Sequence, residues 1–265
     1  MDNRAIGMFD SGIGGITVLK EVKKVLPNEE IIYLGDTKRF PYGTKSKDTI
    51  IEISRQCVKF LISKNVKLII IACGTATSQS LEILKEEFNI PIIGIIEPTV
   101  KYIKENVNNE KERIGVIATS GTIKSGQWEK KIKEEVRNAE IINEEAPLLA
   151  TMAEQGWISN KVAEYTIKEY MKCFKNIDKL ILGCTHYPLF DKLIRKELKS
   201  NTEIINTGTK VAEFLKKYIK DNNIQNDESN KEYKIFLTDL DNNFNEIAER
   251  LLEDNLKTKI EKAEI

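Results

Sequence analysis

The stretch Val66-Lys67-Leu68-Ile69-Ile70-Ile71-Ala72-Cys73-Gly74-Thr75-Ala76-Thr77-Ser78 decides the fold. Its β-branched apolar run reads as a buried strand, and the small and hydroxyl residues from Gly74 to Ser78 suit the opening of a helix. Cys73 stands at the junction, where unpaired backbone N–H groups and the helix dipole favour a thiolate. The same grammar returns in Leu180-Ile181-Leu182-Gly183-Cys184-Thr185-His186-Tyr187-Pro188-Leu189, where a second apolar run delivers Cys184 to a strand end. A buried cysteine is ordinarily a small hydrophobe. The repetition of the context is what marks this pair as chemical.

Outward from these two points, strand-like runs alternate with helix-length amphipathic segments. Strands are predicted at 6–9, 30–34, 67–72 and 92–96, with helices at 15–26, 47–64 and 78–88. After Glu97-Pro98 a second series follows, with strands at 113–118, 140–143, 180–182 and 203–205 and helices at 124–137, 160–175 and 189–198. The charged stretch 221–233 reads as a solvated loop, 234–237 as one more strand and 243–252 as a last helix; the tail after 254 has no clear pattern. The fold class is therefore α/β, with two doubly wound parallel sheets. In such sheets ligands collect at the carboxyl ends of the strands, where both cysteines lie.

The chain has 265 residues, 41% of them apolar, enough for two cores. Lys+Arg and Asp+Glu both number 41, a balance that gives no sign of a nucleic-acid or anionic-membrane partner. No apolar run approaches the roughly 18 residues of a membrane span, and the N-terminus passes almost directly into a strand, so a cytoplasmic protein is expected. Cys57, Cys73, Cys173 and Cys184 lack CxxC spacing and are expected as free thiols, with Cys57 and Cys173 in packing roles.

Asp10-Ser11-Gly12-Ile13-Gly14-Gly15 lies between a strand and a helix. It lacks the spacing of a dinucleotide fingerprint and the Lys-Ser/Thr of a Walker loop, and its backbone N–H groups can equally hold a carboxylate. The run Gly35-Asp36-Thr37-Lys38-Arg39-Phe40-Pro41-Tyr42-Gly43-Thr44-Lys45-Ser46 reads as a loop that covers a site. His186 is the only histidine, and two residues from Cys184 it is within reach of the thiol, as a proton partner or as a charge beside it.

Taken together, Phe9 to Gly15, Gly35-Asp36-Thr37 with Pro41 to Ser46, Ala72-Cys73-x-Thr75-Ala76, Ile95-Ile96-Glu97-Pro98, Gly121 to Gly126 and Gly183 to Leu189 resemble the ordered motif series of the bacterial glutamate racemases. That resemblance implies two pseudo-symmetric α/β domains, residues 1–97 with 208–265 and residues 98–207, with the active site in the cleft between them. It implies a cofactor-independent racemase of glutamate, supplying D-glutamate for peptidoglycan, and a homodimer. Cys73 and Cys184 would be the acid/base pair, acting on D- and L-glutamate respectively, with Asp10, His186 and Glu154 assisting. Asp10, Ser11, Pro41, Tyr42, Gly43, Gly74, Thr75, Thr119, Thr122, Thr185 and His186 would bind the substrate. Inverting a stereocentre in place needs an acid and a base on opposite faces, hence two thiols. No lysine stands in a context that suggests a pyridoxal-phosphate Schiff base.

Three positions depart from the family pattern. Gly74 stands where an Asn is usual, Ala146-Pro147 where Cys-Pro is usual, and Asn206-Thr207-Gly208 where Asp-Ser-Gly is common. Loss of the amide at 74 removes a hydrogen bond to a charged group, worth roughly 1.5–3 kcal/mol. Two other readings stay open at this level: a racemase of aspartate or a related acid, and a ligand-binding or regulatory paralogue with little turnover.

Overall fold

The computed structural model describes residues 1–107, 111–227, 232–240, 244–252 and 260–265. In chain order the first half runs β1 (Ile6–Asp10), α1 (Ile16–Val25), β2 (Ile31–Gly35), α2 (Lys47–Ser63), β3 (Leu68–Ile71), α3 (Gly74–Glu87), β4 (Ile92–Gly94) and α4 (Ile96–Glu105). The middle runs β5 (Arg113–Ala118), α5 (Ser120–Lys124), α6 (Gln127–Glu135), β6 (Glu140–Glu145), α7 (Pro147–Glu154), α8 (Lys161–Tyr170), β7 (Lys179–Leu182), α9 (Asp191–Glu197) and β8 (Glu203–Asn206). The chain then continues through α10 (Thr207–Asp221), β9 (Tyr233–Leu237), α11 (Phe244–Leu252) and β10 (Ile260–Lys262).

Two sheets result, one ordered β10-β9-β2-β1-β3-β4 and the other β6-β5-β7-β8, with every pairing parallel. Alternation along β3 shows why the first sheet is covered on both faces. Leu68 and Ile70 enter one apolar cluster with α1, α4 and α10, while Ile69 and Ile71 enter another with α2 and α3. The apolar positions 50, 53, 57 and 61 of α2 form one buried stripe, and Ser46 caps the helix by accepting from the Thr49 N–H at 3.3 Å. The first of these clusters runs on into the second sheet through Ile96, Val100 and Ile103 of α4 and reaches Val116, Ile181 and Trp128. The two sheets are thus joined by shared core at their back, while the opposite face of the second sheet has its own cluster with α7, α8 and α9.

Several expectations need correction. Helix α3 starts at Gly74, four residues before the predicted start, because Cys73 itself is the cap residue. Residues Ile95 and Ile96 leave the strand and open α4, which runs through the expected crossing at 97–98. α4, α7, α10 and β10 were not anticipated. Cys173 is exposed on the turn after α8, while Cys57 is fully buried as expected; all four cysteines are free. The predicted helix start at 243 and part of the 221–233 loop lie outside the described residues. Among the described residues no helix is long and apolar enough to cross a membrane.

Candidate active site

β1 and β3 are neighbours in the first sheet and β5 and β7 in the second, and the hydrogen bonds Thr75–Thr119 and Thr185–Asp10 join the C-terminal ends of these strands across the cleft. Cys73 follows β3 and Cys184 follows β7, and both line one small cavity of about 20 Å3. That is room for a water, which needs about 10–15 Å3, and not for an amino acid. A larger concavity of about 730 Å3 lies between α3, α4 and α6. Its lining carries no thiol or histidine, and four of its charges form two ion pairs with each other, Lys104–Glu135 at 2.6 Å and Lys131–Glu134 at 3.2 Å. The chemistry is therefore assigned to the smaller space.

β1 ends on Asp10, fully buried, where the chain enters the turn to α1. Its carboxylate accepts from the Gly12 N–H at 3.1 Å and from the Thr185 hydroxyl, across the cleft, at 3.2 Å. Burial raises its pKa to about 6, and the charge of His186 opposes the rise. The Ile13 N–H of the same turn does hold a carboxylate, that of Glu154 at 3.1 Å. A Cβ at Gly14 would lie 2.5 Å from the Thr185 hydroxyl, so the turn is filled by the opposite domain and leaves no space for a nucleotide phosphate.

The two thiols have unlike surroundings. Cys73 is buried, with Sγ 3.8 Å from the Ser11 hydroxyl. Its position at the start of α3 had suggested a thiolate; instead burial, reinforced by the charge of Asp10, pushes it up to about 12, and its hydrogen bond with Ala76 offsets only part of this. Cys184 Sγ lies 3.6 Å from His186 Nδ1, while His186 Nε2 lies 2.7 Å from Glu154 Oε1. Burial alone would lower the His186 pKa, but its hydrogen bonds to Cys184 and Glu154 outweigh that and hold it well above the ordinary range.

The remaining expected residues converge on the same place. Ser11, Pro41, Tyr42, Gly43, Gly74, Thr75, Thr119, Thr185 and His186 line the cavity. Thr122 stands just behind: its hydroxyl is 3.3 Å from that of Thr75 and 2.9 Å from that of Thr119, which are themselves 2.8 Å apart across the cleft. At Gly74 there is no room for a side chain, because a Cβ would overlap the carbonyl oxygen of Gly183. Sequence reasoning missed two lining residues, Phe40 and Ala150. Phe40 adjoins the quoted Pro41-Tyr42-Gly43 run and could have been found there; Ala150 carries no chemical signal and lies on the unanticipated α7.

The chain is similar to known racemases in both sequence and fold. A family model described as Asp/Glu/Hydantoin racemase matches residues 16–215. The glutamate racemase of a Sulfurihydrogenibium species is 42% identical over 264 residues, covering 98% of both chains. The glutamate racemase of Francisella tularensis, solved in complex with D-glutamate, superposes with a TM-score of 0.92 at 37% identity, covering 100% of this chain and 98% of that one. An aspartate racemase from Picrophilus torridus gives a TM-score of 0.60 at 17% identity over 84% of this chain and 99% of that one, a likeness of fold alone. The chain belongs to the Asp/Glu/Hydantoin racemase family.

Proposed function

We propose that this chain is a glutamate racemase that interconverts L- and D-glutamate without cofactor, by a two-thiol mechanism. The observation that carries the reading is that two buried thiols, one at the end of β3 and one at the end of β7, line a single cavity between two sheets. From L-glutamate, Cys184 removes the α-proton and Cys73, held as a thiol, returns one to the other face. The His186 imidazolium stabilises negative charge beside Cys184, and Glu154 stabilises the imidazolium. In the reverse direction Cys73 must ionise although burial holds it up to about 12. The substrate ammonium supplies the missing positive charge, and Asp10 orients it.

Ser11, Pro41, Tyr42, Gly43, Gly74, Thr75, Thr119, Thr122 and Thr185 form the substrate shell in this reading. Residues 1–97 with 208–265 make one unit and 98–207 the other. The protein works in the cytoplasm as a homodimer, and its D-glutamate enters peptidoglycan. Incubating the purified protein with L-glutamate, without pyridoxal phosphate or metal, should bring optical rotation to zero, while L-aspartate should respond far more slowly. A requirement for pyridoxal phosphate, or a preference for aspartate, would overturn the proposal.

A further inference from the structure

Two edges of the His186 ring are tied, Nδ1 to Cys184 and Nε2 to Glu154. A flat ring held at two edges can still tilt about the line joining them. Phe40 stands against it, with ring centroids 5.7 Å apart and planes inclined by 54°. Phe40 belongs to the loop after β2 of the first sheet, yet it packs against the apolar cluster of the second sheet that includes Leu182, Cys184 and Tyr187. It lies over the Asp10 turn as well: a Cβ at Gly12 would be 3.3 Å from Phe40 Cδ2. The loop that carries it is itself fixed by the fully buried Asp36. That carboxylate accepts from Arg39 Nε at 2.6 Å, from the Tyr42 hydroxyl at 2.5 Å and from the Thr238 hydroxyl at 2.8 Å.

The geometry points to Phe40 as a positioning residue for His186, brought in from the opposite domain so that the imidazole is locked against Cys184 only when the cleft is shut. This assignment rests on the reading of Cys184 as the group that acts on L-glutamate. Packing supplies the lock, and the negative face of an aromatic ring within about 6 Å favours a cation beside it. The titratable groups facing His186 are Glu154 on α7, Cys184 on its own turn and Asp10 at the end of β1. In an open cleft the loop is withdrawn and the imidazole is free to tilt. Proton transfer through Cys184 is then confined to the closed, water-poor state.

The test compares Phe40→Leu with Phe40→Tyr, which keeps the ring. Misplacement of a catalytic group by about 1 Å can cost on the order of 100-fold, so Phe40→Leu should lower kcat by about 10- to 100-fold with KM little changed. In deuterated water, α-proton loss from L-glutamate should fall more than loss from D-glutamate. Because His186 is the only histidine, its ring 15N signals need no assignment. They should titrate at lower pH in Phe40→Leu than in the native protein, since the hydrogen bonds that outweigh burial are loosened. Phe40→Tyr should keep the native His186 titration and lose much less kcat than Phe40→Leu. An unchanged His186 titration in Phe40→Leu, an effect confined to KM, or equal damage by Phe40→Tyr would overturn the assignment. Should Phe40→Leu not fold, Phe40→Met serves in the same measurements. Failure of the native protein to racemise glutamate would remove the two-thiol reading, while the His186 titration would still decide the role of Phe40.

Discussion

Cys73 and Cys184 are equivalent in topology and different in surroundings, and their substitutions should differ accordingly. Replacing either by Ala removes one half of the acid/base pair, so racemisation should be abolished in both variants. Cys73→Ala should still exchange the α-proton of L-glutamate slowly in deuterated water through Cys184, and Cys184→Ala only that of D-glutamate through Cys73. NMR with both enantiomers reads this directly, and full racemisation by either variant would exclude the two-thiol mechanism. Gly74 gives a second expectation. Since a Cβ there would overlap the Gly183 carbonyl oxygen, Gly74→Asn should hold the strand ends apart and lower kcat/KM, even with an added amide facing the substrate. A lower KM at undiminished kcat would show that the domains accommodate it.

Asp10 gives a third. Its folded pKa of about 6 lies above the ordinary 3.8, so the folded protein holds a proton there that the unfolded chain has lost. The associated stability is fully present below about pH 4 and is lost as pH rises through about 6. At about 1.4 kcal/mol per pKa unit, that difference of about 2.2 corresponds to about 3 kcal/mol. Asp10→Asn should therefore be inactive or nearly so and yet more stable than the native protein at pH 8, with the advantage shrinking between pH 6 and pH 4 in urea titrations. A stability difference independent of pH would contradict the burial argument.

At the scale of elements, the strand that carries each thiol is anchored at its far end by a buried ion pair. Lys67, just before β3, reaches Glu29 at 2.5 Å, and Lys179, at the start of β7, reaches Glu112 at 2.8 Å. The Lys67 ammonium also donates to the carbonyls of Asp2 and Ile224, both at 2.8 Å, which ties the N-terminus and the segment after α10 to the strand. Lys67→Met leaves Glu29 buried without its cation and should cost about 3–5 kcal/mol in chemical denaturation, whereas Lys67→Met with Glu29→Leu should recover much of it.

What the sequence disclosed at this scale follows from how each element is built. β1 to β5 and β7 to β9 were legible as short, mostly apolar runs, whereas β6, Glu140-Ile141-Ile142-Asn143-Glu144-Glu145, showed itself only through its two central isoleucines. α4 and α7 each carry a proline, Pro98 and Pro147, that does not advertise a helix, but each lies in a first turn, where proline has no hydrogen bond to lose. α10 begins with Thr207-Gly208-Thr209, which resembles a loop until Asn206 is seen accepting from the Gly208 N–H at 2.9 Å. β10 is an edge strand of Ile260-Glu261-Lys262, with too little apolar alternation to announce itself. In the site, both thiols were legible from their repeated context. The link from Glu154 to Ile13 and His186 was not, because it joins three distant segments through one carboxylate.

At the scale of the molecule, the cleft is shut. A cavity of about 20 Å3 is smaller than glutamate, so binding is expected to need an opening between the two sheets, which share a core through α4 and α10. The observed binding rate in stopped-flow tryptophan fluorescence, reported by Trp128 and Trp157, should therefore level off at high glutamate, at the rate of opening. A rate that stays linear in concentration would mean that glutamate enters without it.

The unequal neighbours of the two thiols have a thermodynamic consequence. Cys73 has Ser11 and Asp10 beside it, whereas Cys184 has His186, itself bound to Glu154, so equivalent strand ends carry unlike neighbours. Yet mirror-image substrates have identical free energies in water, so the equilibrium constant is one and the Haldane relation requires equal kcat/KM in both directions. The asymmetry cannot favour a product. It can appear only as a difference in kcat between the enantiomers, matched by an equal ratio in KM.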